Sequence, residues 1–172
     1  LVSADLADPA QARAAAADAA AVIHAAAPPY HRWHEALPAL QAGALAAAEA
    51  AGARYVSIEN LYMYDPSGPI REDTRVAPRS GKGRLRQRLA EEVAAAHRDG
   101  RVRAATLRAS DYYGPGVTAS AWGERVFAPL VDGEPAQVTG ALDVPHSVAF
   151  IQDVGLAAAE LATRDQALGR TW

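Results

Sequence analysis

Seventeen residues of this chain are Lys or Arg, and only one of them, Lys82, is a lysine. Arg86 follows it by four positions, a spacing that puts both cations on one face of a helix. Like-charge repulsion and partial desolvation then favour a neutral amine, and a neutral lysine is a general base. The plainer alternative is a lysine that solvates a helix start. A basic run surrounds the pair: Arg71, Arg75, Arg79, Arg84 and Arg88. Such a run suits a diphosphate or, less well, a nucleic acid. Pairs such as Arg88 and Glu92 at i,i+4 favour an ordinary solvated helix for its helical part. Gly81-Lys82-Gly83 looks like part of a phosphate-binding loop, but it has no preceding strand and no Ser or Thr after the lysine. A P-loop is therefore not expected.

Composition removes other chemistries. There is no cysteine, so disulfides and thiolate metal sites are excluded. His31 and His34 flank Trp33 without the spacing of a metal-ligand cluster, and no metal site is expected. His24 sits in an apolar run and reads as a core histidine. The net charge of -3 disfavours a general polyanion-binding role, and nucleic acid is not an expected partner. No uncharged apolar stretch reaches the length of a membrane span, and the Ala-rich start lacks the pattern of a signal peptide. A cytoplasmic location is the default expectation.

The elements that must carry these residues alternate between helix and strand. Asp8-Pro9 opens a helix running through the alanines to Ala20. Ala21–Ala26 is a buried strand that Pro28-Pro29 ends. A helix over 34–51 follows, closed by Gly52, and Arg54–Ile58 is the next strand. The stretch 59–80 is a long loop with a turn at Asp65-Pro66-Ser67-Gly68. Arg84–Arg98 is amphipathic through Leu85, Leu89 and Val93, and Val102–Leu107 is a strand. Beyond Gly114-Pro115-Gly116 come a helix over 121–131, short strands at 136–139 and 147–151, and a helix from a capping Asp153 to Thr163. Thr171-Trp172 opens a further strand. This order implies α/β architecture, a Rossmann-like parallel sheet with helices on both faces. Ligands on such sheets bind beyond the carboxyl ends of the strands. The segments to watch are Asp5-Leu6, 25–29, 59–64 and 109–116, each expected to follow a strand.

Five of these segments, in order, resemble the extended short-chain dehydrogenase/reductase superfamily and its NAD-dependent epimerase/dehydratase family. They are Ser3-Ala4-Asp5-Leu6, Val22–Ala27, Val56–Tyr64, Leu107–Gly116 and Phe150–Val154. The resemblance spans nearly the whole chain. It implies a dinucleotide-binding part over 1–116 and, over 117–172, the start of a substrate region that returns to the core. It implies NAD or NADP as cofactor, with Asp5, Leu6, Ala25, Ala26, Ala27 and Ser57 beside it. It implies a nucleotide sugar or related carbonyl compound as the small-molecule substrate, met by Asp111, Tyr113 and His146. It also implies a homodimer through the two long helices. For Asp111 a turn role stands as an equal alternative, and for His146 a surface or packing role.

The departures bear on catalysis. Leu1–Ala27 contains no glycine, so the first β-α-β phosphate-binding unit of the family is not in this chain, and cofactor binding without it is in question. Glu59-Asn60 stands where the family has Ser-Ser, which puts Asn60 at the carbonyl-polarising position. The family's Tyr-x-x-x-Lys is absent. One alignment places Lys82 at the tyrosine and Arg86 at the lysine; another places Lys82 at the lysine, with Pro78 or Arg79 near the tyrosine. Tyr62 and Tyr64 are the nearby phenols for proton transfer, and Tyr62 is the one assigned to it here. The expectation is an atypical NAD(P)-dependent epimerase, dehydratase or reductase using Asn60, Tyr62, Lys82 and Arg86. The alternative is a catalytically degenerate dinucleotide-binding or regulatory protein. If Lys82 acts in the reaction, Lys82→Met abolishes turnover of the full-length enzyme in a steady-state assay; unchanged turnover removes Lys82 from it.

Overall fold

The computed structural model of the protein describes residues 1–65, 67–138, 141 and 143–172. Its centre is a parallel sheet ordered β1 (Ala21–His24), β2 (Arg54–Glu59), β3 (Arg103–Arg108). Ala21 pairs with Arg54 and Arg54 with Arg103, so the three carboxyl ends emerge side by side at His24, Glu59 and Arg108. Thr171 adds a parallel bridge to Thr106, the further strand expected at 171–172.

Alternation along β2 builds two cores, because successive side chains point to opposite faces. Tyr55 joins Ala44, Leu45 and Ala48 of α2 (Trp33–Ala51) and Val93 and Ala96 of α3 (Gly81–Arg98). Val56 joins Leu161 and Ala162 of α5 (Ile151–Thr163) on the other face. Helices thus cover both faces of the sheet. Gln41, almost fully buried, donates from Nε2 to the Leu89 carbonyl at 2.9 Å and ties α2 to α3.

Local chemistry explains most helix ends. Asp8 caps α1 (Pro9–Ala15) by accepting from the amides of Ala10 and Gln11. Ser80 caps α3, accepting from Gly83 N at 2.9 Å. Gly52 ends α2 with φ 61°.

Several expected boundaries move. α1 stops at Ala15 instead of Ala20; only Ala12 is buried in it, and propensity without an apolar face does not prolong a short helix. Residues 1–4 form no strand ahead of Asp5, since no strand lies beside them among the described residues. Residues 136–138 are not a strand, and Thr139 lies outside the described residues, as does Pro66 of the expected turn. The cap of α5 is Phe150, not Asp153, which sits in the first turn; the chain enters this helix straight from β5 (Val148–Phe150). The short strand β4 (Asp111–Tyr113) has no counterpart in the sequence reading and pairs in parallel with β5. The remaining helix, α4 (Glu124–Val131), is shorter at its start than expected.

Gly43 of α2 meets the chain ahead of α1: a Cβ there would lie 1.8 Å from the Leu6 carbonyl oxygen. Gly155 of α5 faces open space. Gly43→Ala is expected to destabilise the protein by about 2 kcal/mol through overpacking, and Gly155→Ala to stabilise it by about 1 kcal/mol. Urea unfolding of the two variants beside the parent checks both signs.

Candidate active site at the carboxyl rim of the sheet

The last side chains of the three strands form a buried polar chain. Glu59, 3% exposed, accepts from Arg108 Nε at 3.0 Å on one oxygen and from Ser57 Oγ at 3.2 Å on the other. Arg108 Nη1 donates to Tyr64 Oη at 2.5 Å. On the β1 side, His24 Nδ1 lies 3.0 Å from Tyr55 Oη. Burial, and then the positive charge of Arg86, push the His24 imidazole down to about 4. The ring is therefore neutral at pH 7.

Above this chain lies an aromatic group. Trp33 begins α2, and its Nε1 donates to the Pro28 carbonyl at 3.1 Å. Tyr62 stacks on Trp33 with centroids 5.9 Å apart, and Tyr30 meets Trp33 edge-on at 5.0 Å. Two cations from the first turns of α3 lie on these rings. Lys82 Nζ is 3.7 Å from the Tyr30 centroid, and Arg86 Cζ is 4.9 Å from that of Trp33. The loop carrying Tyr62 reaches α3 because Gly83 has no side chain: a Cβ there would lie 2.4 Å from the Tyr62 carbonyl oxygen.

The structure brings most expected residues to one rim and leaves others apart. Lys82 and Arg86 share one face of α3, each against its own aromatic ring. Asn60 Oδ1 accepts from Tyr62 N at 3.2 Å, leaving Nδ2 without a partner among the described residues. Tyr62 is 40% exposed, and burial, then the neighbouring Tyr30 phenol, push it up to about 12, against an opposing effect of Arg86. Ala25, Ala26 and Ala27 follow β1 as exposed loop. Ser57 is buried inside β2, its hydroxyl spent on Glu59. Asp5 uses its carboxylate within its own turn, accepting from Ala7 N at 2.9 Å, and Leu6 lies against Gly43. Asp111 and His146 face each other across the β4 edge, Oδ2 to Nε2 at 3.0 Å. Tyr113 packs against Phe127 and Phe150.

Trp33, Tyr30, Glu59 and Arg108 belong to this site without having been assigned a role from sequence. Tyr112 lies close enough to Arg86 to act on its charge, and burial raises the Tyr112 phenol. Among the described residues no His, Asp and Glu group is placed to hold a metal, and no helix is long and apolar enough to cross a membrane.

A family model for the NAD dependent epimerase/dehydratase family matches residues 1–170. The chain belongs to that family. Among solved structures, a UDP-N-acetylglucosamine 4-epimerase from Bacillus cereus superposes with a TM-score of 0.80 at 16% identity, over 96% of this chain and 61% of that one. A UDP-glucuronic acid 4-epimerase from Bacillus cereus, in complex with NAD, gives 0.78 at 19% identity, over 95% and 57%. A protein named RMD from Pseudomonas aeruginosa, complexed with NADPH, gives 0.74 at 20% identity, over 99% and 63%. At these identities the likeness shows the shared fold. The chain spans 57–63% of the lengths of these three. No curated protein matches it.

His24 supplies a pH test of this architecture. Its folded value of about 4 lies below the ordinary 6.5, so the unfolded chain binds the proton more readily. The stability tied to a neutral His24 is present in full above pH 6.5 and is lost as pH falls towards 4. That contribution is on the order of 3 kcal/mol. His24→Gln should therefore lose less stability than the parent between pH 7 and pH 4.5, measured by denaturant unfolding at both.

Proposed function

We propose that this chain forms the larger part of an NAD(P)-dependent epimerase, dehydratase or reductase-like enzyme. It acts on a nucleotide sugar or related carbonyl substrate by transient or net hydride transfer. Residues 1–116 serve the dinucleotide and 117–172 begin the substrate region. The observation that carries the reading is the half-exposed Tyr62 phenol, held at the rim where the loops after β1, β2 and β3 emerge.

The residues present fit the nicotinamide half of the cofactor. The loop after β1 offers only the methyl groups of Ala25, Ala26 and Ala27, and the buried nitrogens Arg86 Nε and His24 Nε2 have no partner among the described residues. A bound nicotinamide supplies the hydride chemistry. Tyr62 Oη, raised to about 12, keeps its proton at pH 7 and gives it to a substrate oxygen. Asn60 Nδ2 donates to the same oxygen. Lys82 and Arg86 lie over the rings beside Tyr62, and the positive charge of Arg86 eases loss of the phenolic proton. Lys82 Nζ sits on the face of the Tyr30 ring, so Lys82 is engaged there while Tyr62 moves the proton. The exposed face of α2 carries Ala39, Ala42 and Ala50, small enough for close approach of a second copy, and this supports a homodimer. The enzyme works in the cytoplasm.

A catalytically degenerate, cofactor-binding protein is the second reading. It is favoured by Pro78 standing four positions before the sole lysine, where the family's pair would need a tyrosine. The full-length enzyme and its Tyr62→Phe variant separate the two. With NAD or NADP binding shown unchanged by calorimetry, the first reading expects turnover to fall about 10²–10⁴-fold, followed by nicotinamide absorbance. Equal turnover removes Tyr62 from the reaction, and bound cofactor with no turnover in the parent supports the second reading.

A further inference from the structure

We infer that Tyr64 is a positioning residue for Tyr62: its phenol, held by Arg108, fixes the turn that presents Tyr62 at the rim. The inference rests on the reading just given, in which Tyr62 moves the proton, and names what holds that group in place.

The two phenols stand two positions apart and meet opposite surroundings. Tyr62 is 40% exposed, whereas Tyr64 is 4% exposed and its Oη accepts from Arg108 Nη1 at 2.5 Å. Tyr64 is thus spent on the protein's own framework, while Tyr62 is open to a substrate. Leu61–Tyr64 is a turn closed by Tyr64 N, which donates to the Leu61 carbonyl at 3.1 Å. Its two central residues diverge: Met63 is buried and Tyr62 is not.

The turn has few ties to anything rigid. On its entry side Asn60 Oδ1 accepts from Tyr62 N at 3.2 Å. On its exit side Tyr64 bridges Val76 in antiparallel fashion, and Ala77 N donates to the Met63 carbonyl at 2.9 Å. Those contacts join one part of the long loop to another. Among the described residues, the one hydrogen bond from this turn to the central sheet is that between Tyr64 and Arg108.

Arg108 is suited to carry it. It is the last residue of β3, its side chain is 12% exposed, and its Nε is held by Glu59 at 3.0 Å. A guanidinium is rigid and planar, so fixing Nε also fixes where Nη1 points. Glu59 ends β2 and is the register partner of Arg108. The place of Tyr64, and of Tyr62 two residues before it, is therefore set by both strands at once. A lysine at 108 keeps a charge for Glu59 but has no fork with which to hold two groups. A reacting group placed in advance leaves less ordering to the chemical step.

The test reads Tyr62 itself. It faces Tyr30, which lies under Lys82, together with Asp111 of β4 and Arg86 of α3, and there it is held up at about 12. In the chain labelled with ¹³Cζ-tyrosine, the Tyr62 resonance is assigned by its loss in Tyr62→Phe. In the parent that resonance stays nearly still up to about pH 10.5. In Tyr64→Phe it is expected to titrate about one unit lower, as the freed ring gains water. Arg108→Lys is expected to give the same shift, and the double variant no more than either alone. Gly43→Ala, destabilised at its contact with Leu6, is expected to match the parent, which separates positioning from a general loss of stability. In the full-length enzyme Tyr64→Phe is expected to lower kcat about tenfold to a hundredfold with KM nearly unchanged. The inference is overturned if Tyr62 titrates in Tyr64→Phe and Arg108→Lys as it does in the parent, if the two changes add as independent sites do, or if Gly43→Ala shifts it as far. An inactive parent in which the Tyr62 shifts are present overturns the role of Tyr62 as an acid and supports its placement by Tyr64.

Discussion

The ion pair between Glu59 and Arg108 holds the site together. It joins the last residues of β2 and β3, which are register partners, and it is nearly closed to water. A buried pair of this kind adds little net stability compared with apolar neighbours, but losing one partner leaves a stranded charge. Its value here is positional. It fixes where two strands end, and with them the loops that carry Asn60 and Tyr62 on one side and Asp111 on the other. Ala109 N donates to the Glu59 carbonyl at 3.0 Å, which extends the same register one residue past the strand.

From that fixed rim the arrangement of the cations follows. Glu59 is saturated by Arg108 and Ser57, so Arg86 turns to an aromatic ring. Trp33 is available because it stands at the first turn of α2, packed by Leu37, Leu85 and Leu89 beneath. Gly83 then allows the Tyr62 backbone to press against α3. Core packing, the omission of one side chain and a saturated carboxylate together produce the cluster of phenols and cations.

Much of the fold was legible in the sequence, and the reasons are particular. Gly52 and the Asp8-Pro9 pair are local signals whose effect is confined to a turn, and the helices they bound lie within a few residues of expectation, except the far end of α1; α3 begins three residues ahead of the expected Arg84 because Ser80 caps it. β2 and β3 announced themselves through short apolar runs between helices. β4 did not, because Asp111-Tyr112-Tyr113 has three residues and a partner far along the chain. The site was legible in its identities and not in its partnerships. The i,i+4 spacing put Lys82 and Arg86 on one face, yet nothing local says that Tyr30 and Trp33, far earlier in the chain, lie beneath them. Glu59 and Arg108 were seen as pieces of two motifs; that they meet depends on strand register.

Every strand in the central sheet runs the same way, and each partner comes only after a helix has been crossed. Ala21 cannot find Arg54, nor Arg54 find Arg103, until the intervening chain has been gathered in. Closing such long loops costs entropy before any pairing rewards it, so contact order is high and assembly is slow. The helices can form early from local signals alone. During synthesis α2 and β2 are therefore complete while the arginine that neutralises Glu59 has yet to be made, and the nascent protein must carry that carboxylate in water until β3 emerges.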